Sequence, residues 1–263
     1  MNPLVHNPNC RPLVRRKASL SDALNEIARK ISALRSVSSV LGNKYRTYRL
    51  KAKTIEQIFT AIYENQEWAG KHSASGPGST IDQTRTIIRE IPTLLYEFNI
   101  STILDIPCGD FNWMKEVHLS NIDYTGADIV KDLIRQNVAK YTGGGLRFER
   151  LNLIEDELPK VDLVLCRDCL VHFSFADVFL ALHNICDSGS RYLLTTTFTG
   201  RTVNSDILTG QWHVLNLELA PFMLPRPLRI INEGCTENSG AYEDKSLGLW
   251  SISEIRNVLA RRC

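Results

Sequence analysis

From residue 101 onward, short apolar runs alternate with stretches in which apolar residues recur every three to four positions. The runs lie at 102–106, 123–128, 146–151, 161–166 and 192–198. Helical periodicity fills the intervals at 130–141 and 174–186, the second carrying Val178, Leu180 and Leu182. Strands separated by helices imply βαβ units, and therefore a parallel sheet with helices on both faces. Two further runs, 228–232 and 247–252, follow a long polar and aromatic insert at 199–227. The expected fold class is α/β, with a seven-stranded, mostly parallel sheet.

The N-terminal part reads differently. Leu20, Leu24, Ile27, Ile31, Leu34 and Leu41 follow 4-3-4-3 spacing, with Ser38 at the missing seam position, and Ser19 or Ser21 is a candidate cap. This stripe would dock on the body or pair with a second copy. A second helix is expected over 52–66, a small-residue loop over 72–80, and a third helix from 80 to 98 carrying Ile88, Ile91, Leu94 and Leu95. The expected organisation is a basic helical extension over 1–66 and an α/β domain over 67–263.

Charge sharpens that division. Residues 1–55 hold 12 Lys/Arg against 2 acids, and the rest hold 19 against 27, so a basic arm precedes an acidic body. Such an arm suits nucleic acid, an anionic membrane surface or an acidic partner, and its acid-poor start also fits an organellar transit segment. No uncharged apolar run approaches the ~18 residues needed to span a bilayer. The 7 cysteines are odd in number and scattered, with 108, 166, 169 and 186 in or beside apolar runs. That is the usage of free thiols in a reducing compartment, so a cytoplasmic location is expected.

In open parallel sheets, ligands bind beyond the carboxyl ends of the strands at the switch point of strand order, so the polar residues ending each run are the candidate site. The first run ends Asp105-Ile-Pro-Cys-Gly-Asp-Phe-Asn-Trp113, and the second ends at Asp128, 23 residues after Asp105. An acid there suits the two hydroxyls of a ribose. The dinucleotide fingerprint G-x-G-x-x-G is absent, which argues against a nicotinamide enzyme, whose pyrophosphate needs close approach at three glycines. The acid, the tight turn with Gly109, the second acid and the two C-terminal strands together resemble class I S-adenosyl-L-methionine (SAM)-dependent methyltransferases. The chain departs from the usual glycine-rich turn by placing Pro107 and Phe111 where glycines are common. Four segments (68–80, 105–114, 165–172 and 216–222) narrow the resemblance to a little-characterised microbial and viral group that accompanies sugar-polymer biosynthesis.

That resemblance implies a Rossmann-like fold over roughly 65–255, SAM as cofactor, and roles for particular residues. Asp105, with the turn Pro107, Cys108 and Gly109, would line the methionine end of SAM, with Asp110 or Trp113 close by. Asp128 would hold the ribose, Ile129 would press on the adenine, and Asn152 and Leu153 would flank it. The loop that includes Ser79 would close over the cofactor. Arg167 would hold a carboxylate, either SAM's or a substrate's.

Methyl transfer is an in-line displacement, so the enzyme positions the acceptor and removes its proton. His172 and Asp168, at the end of the fourth run, fall where a general base belongs. Histidine has the better unperturbed pKa, and Asp168 is the alternative base or orients the imidazole. His213 is the second choice among histidines. The insert, with Asn204, Asp206, Trp212, Asn216 and Glu218, has the makings of a sugar-binding wall. Cys166-x-x-Cys169 lacks a second ligand pair for zinc and a thioredoxin-like context, so these are expected to be core thiols, and transfer is expected to be metal-independent.

The expected activity is thus O-methylation of a sugar hydroxyl on a saccharide, glycan or other small hydroxylated acceptor. An RNA methyltransferase anchored by the basic arm is the first alternative. It lacks the [DN]-P-P-[YF] signature, since Arg167-Asp-Cys-Leu170 stands there. A catalytically inactive SAM-fold scaffold is the second.

Overall fold

The computed structural model describes residues 53–68, 70 and 73–261. The 4-3-4-3 stripe of residues 20–41 lies outside them. Seven strands form one sheet in the order β3-β2-β1-β4-β5-β7-β6. They are β1 (Thr102–Asp105), β2 (Asp123–Asp128), β3 (Leu146–Arg150), β4 (Leu163–Cys166), β5 (Tyr192–Phe198), β6 (Arg229–Asn232) and β7 (Lys245–Ser251). β1 to β5 pair in parallel, while β7 lies antiparallel between β5 and β6. This is the Rossmann-like, mostly parallel architecture expected.

Five helices of eight or more residues accompany the sheet among the described residues: α1 (Ile55–Glu64), α2 (Ile81–Glu97), α3 (Lys131–Tyr141), α4 (Phe175–Asp187) and α5 (Ile252–Ala260). The period-2 alternation of strand side chains divides the core in two. Leu104, Val164, Cys166, Leu193 and Trp250 pack with α4 and α5. Ile103, Leu163, Leu165, Leu194 and Leu249 pack with α2 and α3. β4 is buried along its whole length, as expected for a central parallel strand covered on both faces. Each fully buried Leu or Ile contributes about 1.5–3 kcal/mol relative to exposure.

Caps set several helix starts. Thr54 and Gln57 form a capping box on α1, Thr80 Oγ1 accepts from Gln83 N–H at the start of α2, and Ser174 does the same for Asp177 N–H in α4. α1 lies on the N-terminal side of the expected 66/67 boundary, yet it packs on the body. Its Phe59 ring lies 5.8 Å from Phe173, and Glu56 pairs with Arg150 at 3.1 Å.

Two differences from expectation bear on the site. β7 begins at Lys245 rather than 247, and its register sets Lys245 opposite Phe198, at the carboxyl end of β5. The terminal helix α5, unanticipated, buries Ile252, Ile255 and Leu259 on the α4 side. No helix of the described residues is long and apolar enough to cross a membrane.

Candidate active site

The chain runs outward from β1 to β3 on one side of the sheet and returns to β4 on the other, so strand order reverses between β1 and β4. A cavity of about 490 Å³ opens there, beyond the carboxyl ends of β1 to β5. The expected catalytic and cofactor-binding residues all line it except His213, whereas of the expected sugar-binding wall only Trp212 does: Asn204, Asp206 and Asn216 are bonded to the chain's own backbone, and Glu218 lies off the cavity.

Asp128 ends β2 and is buried. One carboxylate oxygen accepts from Val130 N–H at 2.9 Å and the other from Gly109 N–H at 3.3 Å. Burial raises its pKa to about 6 in spite of these donors. Asp105 ends β1 and accepts the Tyr124 hydroxyl at 2.5 Å. Burial pushes its pKa up to about 7, against that hydrogen bond and the charge of Arg167. Ile129, Val130, Leu133, Leu151 and Leu153 give the β2–β3 end an apolar wall, and Ile55, Phe59, Ile62 and Tyr63 of α1 also line the cavity. Asn152 contributes there too, but its amide is engaged locally: Oδ1 accepts from Ile154 N–H at 3.1 Å and Nδ2 donates to Glu155 at 2.9 Å.

The turn after β1 carries a cis Ile106–Pro107 bond and positive φ at Gly109 (56°) and Phe111 (57°). A Cβ on Gly109 would lie 2.2 Å from Ser75 Oγ, so glycine is required both by the backbone and by the loop pressed against it. Asp110 binds that loop rather than projecting free. Its carboxylate accepts from Ala74 N–H (2.7 Å), Ser73 Oγ (3.1 Å) and Ser75 Oγ (3.3 Å), while Asn112 Nδ2 donates to the Ser79 carbonyl at 3.0 Å. The small residues of 73–79 are what allow so close an approach.

At the β4 end the charges are paired inside the chain. Arg167 is buried, with its fork on Glu233 (Nη2 to Oε2 2.6 Å, Nε to Oε1 3.2 Å), its guanidinium 5.4 Å from the centre of the Trp113 ring, and Nη2 donating to the Gly78 carbonyl at 2.9 Å. The carboxylates it holds are therefore the chain's own, Glu233 on its fork and Asp168 on Nη1 at 3.2 Å. Lys245 Nζ meets Asp168 at 2.7 Å and Glu233 at 3.6 Å. Burial would raise the Asp168 pKa, but Arg167 and Lys245 outweigh it and hold the group well below the usual carboxylate range.

His172 Nδ1 lies 2.9 Å from the Gln211 carbonyl oxygen, which can only accept, so Nδ1 carries the proton and Nε2 is the basic atom. The ring stacks on Trp68 with centroids 4.2 Å apart. Burial lowers its pKa to about 4, so it is neutral at physiological pH. The cavity lining also holds an aromatic cluster: Trp212 sits 5.0 Å from Tyr242, and both rings stand edge-on to Phe198 at 6.1 Å. His213 is the exception among the expected catalytic residues. Its Nδ1 meets the Ser205 carbonyl at 2.6 Å and its ring lies 5.9 Å from Phe175, contacts that hold it off the cavity that its neighbour Trp212 lines. Cys166 is fully buried and Cys169 nearly so, both in the core.

Residues unanticipated from the sequence are Lys245, Glu233, Glu237, Tyr242 and α1's Phe59 and Tyr63. All come from segments remote from the strand-end motifs, with no local signal. Trp68 lay within a segment that carried the resemblance without being assigned a role.

No protein-family model and no curated protein matches the chain. Solved structures do. Human N-acetylserotonin methyltransferase in complex with SAM aligns over 75% of this chain and 59% of its own, with 14% identity and a TM-score of 0.48. A SAM-dependent methyltransferase from Clostridium acetobutylicum aligns over 44% of this chain and 52% of its own (14% identity, TM-score 0.38). Magnesium protoporphyrin IX methyltransferase from Synechocystis with bound S-adenosylhomocysteine (SAH) aligns over 53% and 66% (13% identity, TM-score 0.38). The chain thus spans about half of the clostridial protein and about two thirds of the cyanobacterial one.

Proposed function

We propose that this protein is a SAM-dependent methyltransferase that acts on a hydroxyl of an uncharged saccharide. The observation that carries the cofactor reading is Asp128. Each of its oxygens takes one backbone N–H, leaving acceptor capacity on both for the two hydroxyls of a ribose, at the strand end where a nucleoside is held in this topology. The cavity of about 490 Å³ lies within the ~300–1,000 Å³ range of small-molecule sites. The apolar wall beside Asp128 suits a purine. Asp105, ionised, suits the ammonium of the methionine end.

Bound SAM would supply a methyl group on a sulfonium, an electrophile whose departure leaves a neutral thioether. The chain's own residues then have two tasks. Trp212, Tyr242 and Phe198 form the aromatic wall against which the apolar face of a sugar packs. His172 Nε2 takes the hydroxyl proton, with Nδ1–H anchored on Gln211. That proton becomes acidic as its oxygen gains the methyl, so an imidazole of reduced basicity suffices. Asp168, tied to Lys245 and Arg167, is a poor base and serves as a hydrogen-bond acceptor. Both cations are committed to carboxylates of the chain, which disfavours an anionic acceptor such as RNA.

Calorimetry with SAH tests the cofactor reading. Micromolar binding by the wild type and none by a folded Asp128→Ala variant is the expected result. A folded wild type that does not bind SAH overturns it.

A further inference from the structure

Glu233 does not line the cavity, yet it sits behind the residue that touches the loop over it. It follows β6, is 2% exposed, and grips Arg167 through both Nε and Nη2. The same Nη2 donates to the carbonyl of Gly78. Two neighbours of Glu233 reach the same region independently. Thr236 N–H donates to Gln83 Oε1 at 3.1 Å, and Gln83 Nε2 returns a bond to Thr236 Oγ1 at 2.7 Å, just after the loop. Glu237 stands so close that a Cβ on Gly78 would lie 3.2 Å from its Oε2. The loop is thus held from two directions: by Asp110 and Asn112 after β1, and by the segment 233–237 after β6.

We infer that Glu233 is a positioning residue for cofactor binding, acting through Arg167 to fix the loop 76–79 over the cavity. The inference rests on the methyltransferase reading for the identity of the ligand but not for the behaviour of the loop. A planar guanidinium has a fixed fork, so the carboxylate on one edge determines where its remaining N–H groups point. Without Glu233, Arg167 is free to turn toward Asp168 alone, and the Gly78 carbonyl loses its donor. Glu233 lies on the β6–β7 side of the sheet, whereas Asp128 and Asp105 lie on the β1–β2 side. The C-terminal strands would thereby contribute to a binding site to which they supply no ribose or adenine contact.

The test uses the full chain with Glu233→Gln, which keeps shape and removes charge. SAH affinity should fall roughly 3- to 30-fold, the range over which residues outside a ligand's contacts modulate binding. In the unliganded protein the amides of Ser79 and Thr80, bonded to Gly76 and Pro77 carbonyls, should exchange hydrogen faster while those of β4 do not. A merely structural role would lower Tm and raise exchange throughout. Should an unpaired Arg167 prevent folding, the double variant Arg167→Met, Glu233→Leu removes both charges, and such apolar replacement is usually tolerated. It should show the same loop exchange. Unchanged SAH affinity in the folded Glu233→Gln protein, or unchanged exchange at Ser79 and Thr80 in whichever variant folds, overturns the inference. If wild type itself fails to bind SAH, the cofactor reading falls, and the exchange comparison alone decides whether Glu233 holds the loop.

Discussion

His172 shows how burial and one hydrogen bond define a side chain's chemistry. A histidine in water is half protonated near pH 6.5, where it would lose much of its capacity as a base. Here burial lowers the pKa to about 4, and the Gln211 carbonyl selects the tautomer with a free Nε2. The acidic limb of kcat set by His172, measured with SAM saturating so that the titration of unliganded Asp105 and Asp128 does not enter, should therefore fall near pH 4. His172→Ala should lower kcat by about 10²- to 10⁴-fold, the usual contribution of a positioned general base, with SAH affinity kept within a few-fold. An acidic limb near 6.5, or full activity in the alanine variant measured by transfer of a labelled methyl group, would remove His172 from this role. The position of the histidine after the fourth run was legible from the sequence. Its tautomer was not, because the acceptor that selects it is a backbone carbonyl 39 residues away.

At the scale of elements, the strand-end turns do most of the positioning. Gly109 combines a left-handed φ of 56° with the Ser75 hydroxyl at the place of its missing Cβ. Gly109→Ala should cost about 1–3 kcal/mol from the backbone alone. It should also displace the loop that Asp110 clips down, so SAH binding should weaken by more than the loss of stability explains. Thermal denaturation beside calorimetry separates the two, and a variant with wild-type affinity would show that the loop plays no part in binding. The strand and helix positions were read closely from periodicity because each run is long enough to carry its own pattern. The start of β7 was not. Its two extra residues are polar, and pairing with β5 is what draws Lys245 into the sheet. The local alternation of apolar side chains says nothing about a buried lysine whose carboxylate partners lie elsewhere in the sequence.

For the whole molecule, two buried acids side by side carry a cost that depends on pH. The folded-state pKa of Asp105, about 7, stands above its unfolded value, so between about pH 4 and 7 the folded state binds more protons than the unfolded one. Its contribution to stability therefore declines as pH rises through that window and levels off above it. His172 acts in the opposite sense between about pH 4 and 6.5, since its folded pKa is depressed, which makes the absolute profile a sum of opposed slopes. A difference isolates one group. Relative to wild type, Asp105→Asn should gain about 2 kcal/mol of stability between pH 5 and 8 in the unliganded protein, read by urea denaturation at each pH. A pH-independent difference would mean that Asp105 is ionised throughout.

By itself the sequence determined the order of the seven strands and of the helices before the last, the α/β class, and the carboxylates and glycine at the strand ends. These are local features: periodicity and turn chemistry act over a few residues, and a strand's carboxyl end faces the same side of every parallel sheet. Only the tertiary structure decided what those residues meet. Asp110 reads as a ligand contact but binds the loop 73–75, Arg167 reads as a clamp for a carboxylate of SAM or of a substrate but holds Glu233, and His213 reads as a base but faces away from the cavity. The partners of Asp110 and Arg167 arrive from dozens of residues away through sheet order and loop packing, that of His213 from within its own insert, and a charge or hydrogen-bonding group acquires its role from whichever opposite group the fold brings within about 3 Å.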